Sequence, residues 1–125
     1  MIIPDTSIWV DLFRGGQNLL ATEPDLARRR LLHPFVYGEL LLGGLPKDRV
    51  LRAALAALRP APIADFSEVV AFIQWAKLAG TGIGYVDAHL LVSAKMIGGS
   101  ILTLDNDLHV QAARLGVAYE GTLAR

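Results

Sequence analysis

Four carboxylates in this 125-residue chain stand at the ends of apolar runs or among apolar helical neighbours. Asp5 closes the short apolar run Met1-Ile2-Ile3-Pro4, and Asp105 follows the strand-like run Ile101-Leu102-Thr103-Leu104. Glu39 lies within PFVYGELLLGG and Asp87 within GYVDAHLLVSAKMIG. On a helix, Glu39 neighbours Phe35, Val36, Leu42 and Gly43, and Asp87 neighbours Ile83, Gly84, Leu90 and Leu91, with Ala94 a turn further on. Both acids therefore face the way the apolar residues face. No Lys or Arg falls at i+3 or i+4 of either to neutralise it. A buried, unpaired carboxylate costs several kcal/mol. Four acids from four elements repel one another unless a cation lies between them. An oxygen-only set of this kind suits a hard divalent ion, Mg²⁺ or Mn²⁺.

Each acid also has a plain structural reading. Asp105 taken alone is a good helix N-cap, with Asp107 then favouring the positive end of that helix, and Asp5 could cap a helix starting at Thr6. Glu39 and Asp87 could turn to the surface or pair with a distant Arg. Together, two strand ends and two apolar helix faces favour a shared site. His33, His89 and His109 lie on separate segments and read as surface or core-edge residues rather than zinc ligands. The GTGIG run follows a helix, so it is not a dinucleotide fingerprint. Arg28-Arg29-Arg30 reads as a solvated helix face.

The elements that must position these acids alternate along the chain. Ile2–Pro4 reads as a strand, Thr6–Arg14 as a helix stopped by Gly15-Gly16, and Leu19–Arg30 as a second helix. Leu31–His33 reads as a short strand, Pro34 to about Leu42 as a helix, and Pro46 to about Leu58 as another. A brief strand is expected around Ile63, then a helix capped by Ser67 and running to Leu78, and a glycine loop. Tyr85–Ile97 reads as a helix, Ser100–Leu104 as a strand, Asp105 to Leu115 as a capped helix, and Val117–Tyr119 as an edge strand. Such alternation predicts an α/β fold with a central parallel sheet covered on both faces. Ligands in such folds bind beyond the carboxyl ends of the strands, where Asp5 and Asp105 stand.

Composition narrows the classes. The length suits one domain, residues 1–125, with no linker or repeat. A hydrophobic fraction of 53% and a mean hydropathy of +0.41 exceed the needs of a small core, which predicts an oligomer or a bound partner. The absence of cysteine excludes disulfides and thiolate metal sites and suits the cytoplasm. No signal peptide is expected, and no apolar stretch approaches the roughly 20 residues of a membrane span. Lys plus Arg equals Asp plus Glu at 12 each, so the chain is not a broadly basic nucleic-acid binder.

The segments DTSIWVDLFRG, FVYGELLLG, GIGYVDAHLLVSA and ILTLDNDL, in that order, resemble a PIN-domain ribonuclease, and more closely the VapC toxins of bacterial toxin–antitoxin pairs. The resemblance spans nearly the whole chain and implies a PIN-like three-layer α/β/α sandwich. It implies catalytic acids at Asp5, Glu39, Asp87 and Asp105, with Asp5, Asp87 and Asp105 as ligands of Mg²⁺ or Mn²⁺. Asp107 matches an additional acid, and Ser7 and Thr103 match hydroxyl positions that order the site. The implied activity is hydrolysis of phosphodiester bonds in a structured RNA such as tRNA or rRNA. The implied partners are a VapB-like antitoxin, whose tail would lie on Trp9, Leu12 and Phe13, and a second copy of the chain.

Two other classes remain to be weighed. A haloacid-dehalogenase-type phosphatase wants a second Asp where this chain has Ser7, and a phospho-receiver domain wants paired acids after the first strand. A catalytically silent PIN-like interaction module would be expected to have lost acids that are all present here.

Overall fold

The computed structural model describes residues 1–120 as one α/β unit. At its centre β1 (Ile2–Pro4) runs parallel to β2 (Ser100–Leu102), with Ile2 opposite Ser100, Ile3 opposite Ile101 and Pro4 opposite Leu102. Single parallel bridges widen this pair. Ile2 meets Arg30, Leu32 meets Pro60, and Ile101 meets Ala118. Across the sheet the order is therefore Pro60, Arg30–Leu32, β1, β2, Ala118. From β1 the chain moves outward one way, then crosses to β2 and moves outward the other way. The boundary between β1 and β2 is the topological switch point, where open α/β sheets leave a crevice.

Eight helices complete the described residues: α1 (Thr6–Phe13), α2 (Leu19–Thr22), α3 (Pro24–Arg29), α4 (Pro34–Gly43), α5 (Arg49–Ala56), α6 (Phe66–Trp75), α7 (Tyr85–Ile97) and α8 (Asn106–Arg114). Parallel crossovers are right-handed in nearly all proteins, a rule that assigns α1–α5 to one face of the sheet and α6–α8 to the other. In keeping with that, α1 packs on α4, α6 on α7, and α7 on both strands. The result is a three-layer α/β/α sandwich. Its core joins Ile2, Ile3 and Ile101 from the sheet to Ile8, Val36, Leu40, Leu90, Leu91 and Leu108 from the helices.

Several boundaries differ from the sequence expectation, each for a local reason. The expected helix 19–30 is two, because Pro24 cannot donate to the turn before it and instead starts α3. The expected strands at Leu31–His33 and Val117–Tyr119 reduce to single bridges, and the one near Ile63 lies at Pro60. The cap of α6 is Asp65, not Ser67: Glu68 reaches back to the Asp65 amide at 3.0 Å. That helix stops at Trp75, and Lys77 takes φ +54°. α5 starts at Arg49, capped by Asp48, and the strand from Ser100 ends at Leu102.

His33 and His89 are core residues, 0% and 3% exposed, rather than surface or core-edge ones. His33 caps α4 by accepting from the Phe35 amide at 3.0 Å. Among the described residues no helix is long and apolar enough to cross a membrane.

Candidate active site

Asp5 is the fixed point of the crevice. The sheet ladder extends to its amide, which donates to Leu102 O at 3.0 Å. Its side chain caps α1 by accepting from the Ile8 amide at 3.2 Å. Ser7 gives its hydroxyl proton to Asp5 Oδ1 and Thr103 gives its own to Asp5 Oδ2, each at 2.5 Å. Each hydroxyl has one proton, so the 3.4 Å approach of Ser7 Oγ to Thr103 Oγ1 is a contact and not a further bond. The same two oxygens accept from the turn beyond β2. Leu104 N donates to Ser7 Oγ at 3.0 Å and Asp105 N donates to Thr103 Oγ1 at 2.9 Å. This explains why the strand ends at Leu102: Thr103 and Leu104 leave the ladder to build the site.

The other acids arrive from three helices. Asp105 caps α8 through the Leu108 amide at 3.1 Å. Asp87, in the first turn of α7, folds back to the Gly84 amide at 3.3 Å. Glu39 on α4 is exposed, against the expectation that it faces the apolar side, and its Oε1 accepts from the Thr6 hydroxyl at 2.6 Å. Asp107 lies against the 78–84 loop: a Cβ added at Gly82 would fall 2.5 Å from Asp107 Oδ2. Thr6, Gly82 and Gly84 thus belong to the site although their residue types gave no chemical signal. The DTS run offered a hint, since Thr6 sits between two residues already marked.

The carboxylates also act on one another's charge. Burial pushes the Asp5 carboxyl above its usual range, against the pull of its three donors, and the charge of Asp105 adds to the rise. Burial also raises Asp87, and the charges of Asp5, Asp105 and Glu39 raise it further. Asp87 is therefore within electrostatic reach of the other three acids, and Asp5 within reach of Asp105. Among the described residues the ion pairs are Arg28 and Arg29 with Asp25, so no cation side chain is paired with the cluster. The carboxylates do not close into a cage: among the described residues no three His, Asp or Glu side chains converge tightly enough to hold an ion by themselves. An open acidic cup with uncompensated charge fits an ion that keeps several of its own waters, as Mg²⁺ does.

Trp9, Leu12 and Phe13 do come together. They line a cavity of about 130 Å³ with Leu20, Arg30, the α5 residues Leu51, Ala54 and Leu55, and Leu58. Arg30 lies over the Trp9 ring, 6.0 Å from its centroid. Two buried donors at this cavity, Trp9 Nε1 and Arg30 Nε, have no acceptor among the described residues.

Comparison with known proteins agrees with this geometry. The family model of the PIN domain matches residues 2–114. The chain is 36% identical over 121 residues to Ribonuclease VapC32 of Mycobacterium tuberculosis, in strains CDC 1551 / Oshkosh and ATCC 25618 / H37Rv alike, covering 94% of this chain and 95% of the relative. It also shares its fold with PAE2754 from Pyrobaculum aerophilum, at 16% identity and a TM-score of 0.59, over 94% of this chain and 87% of that one. A parallel sheet with acids gathered at its switch point, matched by family and by relatives along nearly its whole length, places the chain in the PIN-domain family, beside ribonucleases of the VapC type.

Proposed function

We propose that this chain is a Mg²⁺- or Mn²⁺-dependent endoribonuclease of the VapC kind, acting in the cytoplasm on a structured RNA such as tRNA or rRNA. The observation that carries it is the clamp on Asp5. Three donors from α1 and the end of β2 hold one carboxylate against its own desolvation, in a cluster with Asp87, Asp105 and Glu39. A protein spends that much structure on a charged group when the group has a ligand to meet.

Asp5, Asp87 and Asp105 would hold the ion, directly or through its waters. A bound divalent ion neutralises charge on the phosphate and makes a water easier to deprotonate. The chain's own part is to hold, orient and accept. Ser7 and Thr103 fix both oxygens of Asp5, so its direction does not depend on the substrate. Thr6 occupies Glu39 Oε1, which leaves Oε2 to accept a proton from the attacking water. The water oxygen bonds to phosphorus, the bond from phosphorus to the leaving ribose oxygen breaks, and that oxygen takes a proton from solvent. Asp107 and Gly82 keep the 78–84 loop against this side of the crevice.

A small VapB-like antitoxin restrains the enzyme by filling the cavity of Trp9, Leu12 and Phe13. The support is physical: an apolar cavity holds two buried donors that a partner's carbonyl or carboxylate would satisfy. A homodimer would cover part of the apolar surface that the chain leaves open, including Phe66 and Trp75, 72% and 70% exposed.

The test is to express the chain without antitoxin beside Asp5→Asn and map new RNA 5′ ends. Cuts at one or a few sites, made only when Asp5 is present, bear the proposal out and name the substrate. No cuts from the soluble protein sink it in favour of a phosphatase or a silent interaction module.

A further inference from the structure

The loop 78–84 has two sides. One is spoken for: Gly82 lies against Asp107, and the Gly84 amide donates to Asp87. The other side lines a cavity of about 200 Å³ that the chemistry above does not use. Its walls are Leu78, Ala79, Gly80 and Ile83 from the loop, Ile73 from α6, and Gly84, Tyr85 and Ala88 at the start of α7. Tyr85 stands among them, 47% exposed. Its ring is propped by His89 one turn on, at 4.8 Å and 82°, and His89 is propped in turn by Phe35 at 4.5 Å. Two of the lining residues, Gly80 and Ile83, have amides that make no hydrogen bond among the described residues. No charged side chain lines it.

A rigid, half-exposed aromatic ring, apolar walls, uncovered backbone amides and no charge suit a flat heterocycle rather than a phosphate. Proteins read single-stranded RNA by turning out one base, stacking it on an aromatic ring and bonding its edge. The cavity shares Gly84 with Asp87, so a base seated there belongs to a nucleotide beside the scissile phosphate. The geometry points to a base-binding subsite at Tyr85 that sets the enzyme's sequence preference at one position next to the cut. This rests on the ribonuclease reading and adds to it a determinant of specificity outside the acids.

The probe is folded tRNA and rRNA together with a pool of RNA stem-loops randomised in the loop, cut by the full-length chain in Mn²⁺ and sequenced at the new ends. The wild type should prefer certain bases at one position flanking the cut. Tyr85→Ala should flatten that one position and lower kcat/KM about tenfold, the range of a lost base–aromatic stack. Tyr85→Phe keeps the ring and should restore the preference. Ala79→Phe fills the cavity from its exposed wall and should flatten the same position without touching Tyr85. An unchanged preference in both Tyr85→Ala and Ala79→Phe overturns the subsite while leaving the ribonuclease intact. A wild type that cuts nothing overturns the ribonuclease reading itself.

Discussion

Thr103 Oγ1 stands 2.5 Å from Asp5 Oδ2 and donates to it across 98 positions of sequence. The same oxygen accepts from the Asp105 amide at 2.9 Å, so one hydroxyl fixes two acids. Thr103→Val should leave Asp5 short of a donor, raise its carboxyl further above the usual range and turn the Asp105 peptide loose. Groups that orient ligands in this way are worth about 10- to 100-fold in metal affinity or activity. Titration of cleavage against Mn²⁺ should show half-saturation moving upward by such a factor, with Thr103→Ser recovering most of the loss. An unmoved titration curve would make the hydroxyl merely structural.

Asp87 should set activity against stability. Its folded carboxyl is raised by burial first and then by Asp5, Asp105 and Glu39. Such a group adds stability that is fully present below its ordinary value of 3.8 and is lost as pH rises through the raised one. At pH 7 without metal its charge is a burden. Asp87→Asn should raise the metal-free melting temperature by about 3 °C, lose the gain in melting temperature that Mn²⁺ gives the wild type, and cut RNA at least about a hundredfold more slowly. A variant that cleaves at full rate would remove Asp87 from the site.

His33 should act in the opposite direction. Ser93 donates to Pro62 O at 2.6 Å, so the 3.1 Å contact to Ser93 Oγ must take its proton from His33 Nε2. Nδ1 accepts from the Phe35 amide, which leaves no place for a second proton. Burial, and then His89, push the imidazole down to about 4. Its stability contribution is present above the ordinary value of 6.5 and is lost as pH falls toward 4, by up to about 1.4 kcal/mol per pH unit. Denaturant midpoints between pH 7 and 4.5 should therefore fall more steeply for the wild type than for His33→Asn. Proton NMR should find the His33 ring silent down to about pH 5.

Two glycines separate strain from placement. Gly80 has φ +77° with open space at its Cβ position, and Gly82 has φ +88° with Asp107 Oδ2 at 2.5 Å from that position. Alanine at either should cost about 1–2 kcal/mol for the left-handed backbone. Asp107 is exposed and can swing aside, so the two variants should melt within a degree or two of each other. Calorimetric titration should find weaker Mn²⁺ binding in Gly82→Ala alone.

Trp9→Phe keeps most of the ring and deletes a buried N–H that has no acceptor in the free chain. The free chain should melt at the same temperature or slightly higher, since an unsatisfied donor costs about 1–3 kcal/mol. Antitoxin should bind about tenfold more weakly if it supplies the acceptor. Equal binding by both forms would move the antitoxin elsewhere.

What the sequence disclosed follows the range of the forces involved. Asp5 and Asp105 were legible because each ends an apolar run within four residues of itself. α7 was legible over its full length because thirteen residues without Gly or Pro lie between Gly84 and Gly98. Glu39 was found by its helical neighbours, yet its exposure was not, because Thr6 draws it out from another helix. The sheet was overdrawn, since strand-like runs such as Leu31–His33 bond to neighbours at only a single bridge when their partners are set by distant chain. His33 and His89 were placed too near the surface because their burial depends on Ser93, Phe35 and each other, across two helices.

Ile2–Pro4 fills the middle of the sheet, and its parallel partner, Ser100–Leu102, lies almost a hundred residues further along the chain. Until that partner is made, β1 lacks a neighbour on one side, and Asp5 lacks both the hydroxyl of Thr103 and the company of Asp105. A product of early termination, or one cleaved between the first strand and the last, therefore carries acids without a cup. The site is therefore assembled only in a chain that carries both strands, and no piece lacking either can present it.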